Sequence, residues 1–333
     1  MTAEDAARIN RAVALLRVGE LVAFPTETVY GLGADAANPA AVAKVFAAKG
    51  RPAAHPLIVH LSSAAHLARW ARELPPEAER LAAEFWPGPL TLILKRQAGV
   101  ADAVTGGQDT VGLRVPGHPL ALALLEAFGG KDGGGIAAPS ANRFGRISPT
   151  TAAHVREELG DAVALVLDGG PCAVGIESTI LDLSRGQPVL LRPGAIGAAD
   201  IARVLGRPPQ AAAGEGAPRV SGSLAAHYAP RTPLRLLSAG RLAAAAGQAL
   251  AAGGRVAVLA LAAPPMQEAG LEWKRMPAQP AAYARALYAS LREADDLCCT
   301  IILAEQPPGD EAWLAIRDRL RRAAAGAGDE NGT

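Results

Sequence analysis

Residues 25–60 read PTETVYGLGADAANPAAVAKVFAAKGRPAAHPLIVH, and the reading of the chain turns on this stretch. It gathers Thr26, Thr28, Tyr30, Lys49, Arg51, His55 and His60 into one short segment. Just upstream, ELVAFP predicts a short buried strand that delivers Thr26 and Thr28 to its C-terminal end. Asn38 followed by Pro39 then marks a helix start, with a side-chain acceptor at the cap and a preset φ in the first turn. Gly50 is the matching stop. Lys49 and Arg51 are therefore expected at a helix-to-strand junction, where loop residues converge on ligands. In isolation, KGR would be a solvated helix end worth under about 1 kcal/mol. Threonines, a tyrosine and His60 at neighbouring strand ends favour a binding role, because the two cations suit phosphate and the glycines allow close backbone approach.

Working outward, PLIVHL, LTLILK, VGLRV, GIAAP, VALVLD, STILDL and VLLR are short apolar runs bounded by Gly, Pro or polar residues, and they read as strands. Helical patterns fall near 4–18, 63–85, 118–128 and 150–159. This order predicts an α/β domain with a twisted, partly antiparallel mixed sheet over residues 1–206. RPPQAAAGEGAP opens a linker that extends to residue 231, longer than an ordinary loop and so expected to touch something. Beyond it LRLLS, RVAVLAL and CTIILAE alternate with helical patterns near 240–252, 280–294 and 311–324. They predict a smaller Rossmann-like α/β domain over 232–325, with residues 326–333 a disordered tail. No GxGxxG fingerprint accompanies it, so no dinucleotide is expected there.

At 333 residues the chain is long enough for two cores, and its formal net charge of +1 argues against a dedicated nucleic-acid clamp. Cys172, Cys298 and Cys299 have no metal-ligand spacing and read as reduced thiols, the adjacent pair as core. No signal-peptide pattern or membrane-length apolar run is present, which places the protein in the cytoplasm. Walker A and covalent-nucleophile signatures are also missing.

Four further motifs follow the opening stretch: APSANRFGRISPT (138–150), GIESTI (175–180), LLRPGAIG (190–197) and HYAP (227–230). Arg114 interrupts the apolar strand VGLRV, where an arginine must reach solvent or pair with an anion; its fork matches a carboxylate. Read alone, SAN is a turn, Ser148 before Pro149 is a candidate N-cap, and Glu177 is a structural or solvated acid.

In order and wording these motifs resemble the YrdC family in its two-domain form, the L-threonylcarbamoyladenylate synthases. The resemblance spans residues 20–230 and extends more faintly to the C-terminal part. It implies a sheet curled around a central cavity. It also implies nucleotidyl transfer, joining L-threonine, bicarbonate (or CO2) and ATP into L-threonylcarbamoyl-AMP and pyrophosphate. Lys49, Arg51, His55, Thr110, Ser140, Asn142, Ser148, Arg192 and Tyr228 map to ATP; Thr28, His60, Arg114, Ala138 and Ser178 map to threonine. Ser148 thus has two competing roles, cap and nucleotide contact. Many members have Asn where His55 stands, and a Pro-Gly-Met element where this chain has VSGSLAA. Mg2+ would accompany ATP, the linker would close over the site, and the product would pass to a tRNA threonylcarbamoyl transferase. Two other readings stand beside this one: a carbamoyl transferase resembling the HypF proteins, and an RNA-binding module.

Overall fold

The computed structural model describes residues 2–211, 216–222, 224–265 and 267–327. Its first helix, Ala3–Arg17, is fixed by a capping box: Thr2 Oγ1 accepts the Asp5 N–H, and the Asp5 carboxylate accepts the Thr2 N–H. The helix Pro39–Lys49 begins with Asn38 Oδ1 accepting the N–H groups of Ala40 and Ala41, and ends on Gly50 at φ +62°. That left-handed end is the conformation glycine adopts most freely.

The chain forms two compact units, Met1–Arg143 with Pro149–Ser223, and Phe144–Ser148 with Leu224–Thr333. The first unit is built on ten strands: β1 Val22–Phe24, β2 Gly31–Asp35, β3 Ile58–His60, β4 Leu90–Lys95, β5 Thr110–Arg114, β6 Ile136–Ala137, β7 Leu165–Val166, β8 Thr179–Asp182, β9 Val189–Arg192 and β10 Gln210–Ala211. They run β10-β9-β8-β4-β5-β3-β6-β2-β1-β7 across a mixed sheet. Parallel pairing of β3 with β5 places His60 beside Arg114, and parallel pairing of β4 with β8 places Thr91 beside Ile180. The core behind the sheet includes Tyr30, Val45, Leu92, Leu113, Leu181 and Ile201, all buried.

Several elements differ from the sequence pattern. GLGAD, too short and glycine-rich to suggest a strand, forms β2. A Cβ on Gly33 would lie 2.8 Å from both Phe24 and Ile136, so glycine is what lets β2 lie between its neighbours. The helical pattern near 63–85 breaks into a turn at Ala64–His66 and helices Leu67–Trp70 and Pro76–Phe85, because Pro75 and Pro76 cannot continue a helix.

The second unit carries β11 Leu234–Leu237, β12 Val256–Ala260, β13 Leu271–Arg275 and β14 Ile301–Glu305, all parallel, in the order β11-β14-β12-β13. β13 (LEWKR) escapes the apolar-run rule because it is a half-exposed edge strand. Cys298 is exposed at the turn before β14, not in the core, whereas Cys299 is buried. Phe144–Ser148 belongs to this unit: Ala229 N–H donates to the Gly145 carbonyl at 2.8 Å and Arg292 Nη2 to the Ile147 carbonyl at 2.6 Å. The tail expected over 326–333 lies outside the described residues from 328 onward, while the final helix runs Leu314–Gly326.

Candidate active site

Arg114 ends β5 with its guanidinium buried, and the strand pairing explains where its fork goes. Nη2 donates to Glu27 Oε1 at 2.7 Å and to Thr28 Oγ1 at 2.9 Å, and Nε donates to the Gly88 carbonyl at 3.3 Å. Glu27 Oε2 in turn accepts the Gly117 N–H at 2.9 Å. Thr26 and Thr28 share a hydroxyl contact of 2.8 Å, and Thr26 donates to the Val29 carbonyl at 2.6 Å. The loop leaving β1 is thereby locked into a shape that holds both Thr28 and Glu27 against Arg114. Glu27 did not emerge from the sequence, since nothing local marks an acid in PTET as the partner of an arginine 87 positions away.

His60 sits across the strand pair from Arg114, edge-on to Phe24 with ring centroids 6.0 Å apart. Burial, reinforced by the Arg114 charge, pushes its imidazole down to about 3. Its Nδ1 has no hydrogen-bond partner among the described residues. A buried neutral imidazole with an unfilled position is suited to meet a ligand hydroxyl or amine. The same shift has a consequence for stability. Unfolded, this histidine takes a proton near its ordinary value of 6.5, but folded it does not until about 3. Over that window the unfolded state binds more protons, so stability falls as pH drops, by at most about 1.4 kcal/mol per pH unit. His60→Gln is expected to flatten that slope in thermal melts taken across mildly acidic pH; an unchanged slope contradicts it.

Continuing the antiparallel register Leu92↔Leu113 by one step sets Thr91 opposite Arg114. Thr91 Oγ1 lies 2.8 Å from Ser178 Oγ, and both side chains are fully buried. Arg192, at the end of β9, donates from Nε to the Ser178 carbonyl at 3.0 Å, from Nη2 to Ser178 Oγ at 3.1 Å and from Nη1 to the Ser221 carbonyl at 2.9 Å. Arg51 meets the same residue from the other side, Nη2 donating to Ser221 Oγ at 3.1 Å and to the Pro56 carbonyl at 2.9 Å. Strand register (His60–Arg114–Thr91) and hydrogen bonds (Thr91–Ser178–Arg192–Ser221–Arg51) thus bring the residues expected at threonine together with two of those expected at phosphate. Thr91 and Ser221 were not anticipated. Val220 anchors this part of the linker by packing with Ile58, Ile93 and Ile180.

Lys49 and Arg51 are both buried, so neither is a solvated helix end. Lys49 Nζ donates to the carbonyls of Ser140 (2.6 Å) and Asn142, bracing the SAN turn rather than pointing to solvent. Burial, with Arg51 adding repulsion, holds its amine well below the usual lysine range. His55 is half-buried, and its imidazole is lowered by burial and by the Arg51 and Arg219 charges. Ala138 N–H donates to the Ile58 carbonyl at 2.9 Å, placing the SAN turn against β3. Thr110 opens β5 and is partly exposed. Ser148 and Tyr228 fall in the second unit. There Tyr228, at φ +62°, stacks on Tyr288 at 5.7 Å and lies under the Arg319 guanidinium at 5.2 Å.

A mixed-sheet α/β unit with clustered arginines and hydroxyls, followed by a parallel Rossmann-like unit, sets the class of protein. The chain belongs to the Sua5/YciO/YrdC family, whose model, described as "Telomere recombination", matches residues 14–194. A second model, described as "Threonylcarbamoyl-AMP synthase, C-terminal domain", matches residues 196–325. A Bacillus subtilis relative named threonylcarbamoyl-AMP synthase is 41% identical over 96% of this chain and 93% of its own length. A Pyrococcus abyssi relative of the same name is 50% identical over 60% of this chain and 57% of its own length. Among solved structures, P. abyssi Sua5 complexed with L-threonine superposes with a TM-score of 0.87 at 38% identity, covering 95% of this chain and 94% of that one.

Proposed function

We propose that the protein is a threonylcarbamoyl-AMP synthase, which condenses L-threonine, bicarbonate or CO2 and ATP into L-threonylcarbamoyl-AMP with release of pyrophosphate. The observation that supports this reading is the grouping of Arg114 and Thr28 with Arg192 and Arg51, which would suit a carboxylate-and-hydroxyl ligand beside a phosphate ligand. Amine and CO2 combine without a protein nucleophile, so the protein's work is alignment and charge stabilisation. Arg114 would take the threonine carboxylate, while Thr28, His60 and Ser178 would meet its polar groups. Arg51 and Arg192 would offset charge on the triphosphate as pyrophosphate leaves, with Lys49 holding the Ser140–Asn142 turn that faces the nucleotide.

Mg2+ would arrive with ATP and bridge its phosphates. Among the described residues no group of three His, Cys, Asp or Glu side chains is placed to hold a metal. Ser221, which touches both arginines, would shift as the triphosphate enters, and the linker would then shield the adenylate from water. A cytoplasmic setting and delivery of the product to a tRNA threonylcarbamoyl transferase belong to the same proposal. No helix among the described residues is long and apolar enough to cross a membrane. The HypF-like and RNA-binding alternatives are not favoured, because the second region matches the synthase C-terminal domain.

Pyrophosphate release tests the reading: it is expected only when threonine, bicarbonate and ATP are all supplied. Release indifferent to threonine would contradict it.

A further inference from the structure

The charges around Arg114 define what the amino-acid pocket can hold. Arg114 is a buried cation whose Nη2 is shared by Glu27 and Thr28 and whose Nε is committed to Gly88. Nη1 has no hydrogen bond to the described residues, so it is the donor of this guanidinium that a substrate carboxylate would take. Glu27 is fixed as firmly as Arg114 is, by the Arg114 guanidinium on one oxygen and the Gly117 N–H on the other, with its side chain 12% exposed. The pair cancels to zero charge, and His60 beside it is neutral. An α-amino acid zwitterion also sums to zero, and its two ends find complements here: carboxylate on Arg114, ammonium on Glu27.

The ammonium cannot attack CO2 while it carries its third proton, so the site needs a group to remove it. The titratable groups interacting with Glu27 come from three other elements: Arg114 on β5, His118 at the cap of the helix Pro119–Gly129, and Cys172 in the loop before β8. Burial lowers His118, whose Nδ1 already accepts the Leu120 N–H, and burial pushes the Cys172 thiol up. His60 is held neutral beyond Arg114. Of this set, Glu27 alone offers an anion.

We propose that Glu27 receives the substrate α-ammonium and takes its proton, freeing the amine to capture CO2. The N–H bond breaks with its electron pair left on nitrogen, and the proton passes to a Glu27 oxygen. The nitrogen pair then forms the bond to the carbon of CO2, one C–O π pair moves to oxygen, and a second nitrogen proton leaves to water, giving the carbamate. This role rests on the synthase reading and names the residue that would start the reaction.

Glu27→Gln keeps the side-chain shape and an oxygen for the Gly117 N–H but gives up the ion pair to Arg114, so the pH profile, rather than the size of the loss, is what tests the proton. At about pH 7 its threonine-dependent turnover is expected to fall at least about 100-fold, the range of a lost general base. The residual rate should climb with pH in step with the fraction of free amine, while the wild type stays comparatively flat. Glu27→Asp, which retains a carboxylate, is expected to recover turnover and the flat profile in part. An active wild type with Glu27→Gln at full rate, or slowed equally at every pH, overturns the proton role alone. So does a pH-dependent loss that appears in Glu177→Gln and not in Glu27→Gln. A wild type making no threonine-dependent product overturns the synthase reading itself.

Discussion

Arg51→Ala and Arg192→Ala are each expected to reduce threonine-dependent pyrophosphate release by about 100-fold or more, the scale found when one preorganised charge-stabilising donor is removed. Both guanidinium groups are buried and both reach Ser221, Arg51 through its hydroxyl at 3.1 Å and Arg192 through its carbonyl at 2.9 Å. Under the proposed function these two cations, which meet on Ser221, would meet on one polyphosphate. The two variants should nevertheless differ. Arg192 also makes two bonds to Ser178, so its loss should loosen threonine as well as ATP, whereas loss of Arg51 should act on ATP. Lysine should rescue Arg192 poorly, because a point charge cannot serve Ser178 and Ser221 at once. Steady-state pyrophosphate release with each substrate varied in turn reads this out; full activity in both variants would remove the arginines from the site.

Arg114→Ala should have the second largest effect, on stability as well as catalysis. It strands Glu27 as a buried carboxylate without its cation, a change that costs about 3–5 kcal/mol in comparable settings. The threonine requirement should rise more than the ATP requirement. Removing both charges together, with Arg114→Met and Glu27→Met, is expected to regain most of the stability in denaturant unfolding but none of the threonine use. A larger rise in the ATP requirement than in the threonine requirement would contradict the assignment of Arg114.

Much of the architecture is legible from local chemistry. Asn38–Pro39 and Gly50 mark their helix because capping is decided within a few residues, and runs such as LTLILK declare buried strands by their own composition. β2 is hidden, since what makes GLGAD a strand is the squeeze of Gly33 between Phe24 and Ile136 rather than any propensity. Arg114 can be singled out because an arginine among Val, Gly and Leu needs an anion. Its partner Glu27 cannot, because the pairing is created by folding the β1–β2 loop onto β5. Thr91 looks like an ordinary strand residue until parallel pairing brings β8, and with it Ser178, alongside. Ser148 illustrates another limit: nothing in the wording of APSANRFGRISPT marks Phe144–Ser148 as part of the second unit, which it joins through Arg292 and Ala229.

The role of Lys49 is the clearest case of a residue found by pattern and understood only by geometry. Its position at the end of a helix and before Gly50-Arg51 suggests phosphate contact, yet its amine spans the Ser140 and Asn142 carbonyls. Such a lysine shapes the turn that would face a nucleotide, and its buried charge is tempered by two oxygen acceptors.

Mass spectrometry of the protein incubated with L-threonine, ATP, Mg2+ and bicarbonate carrying heavy carbon tests the proposed chemistry most directly. The expected product is an adenylate that contains threonine plus one labelled carbon, formed in equal amount with pyrophosphate. A threonyl adenylate without the label, or ATP consumed to ADP and phosphate, would contradict it.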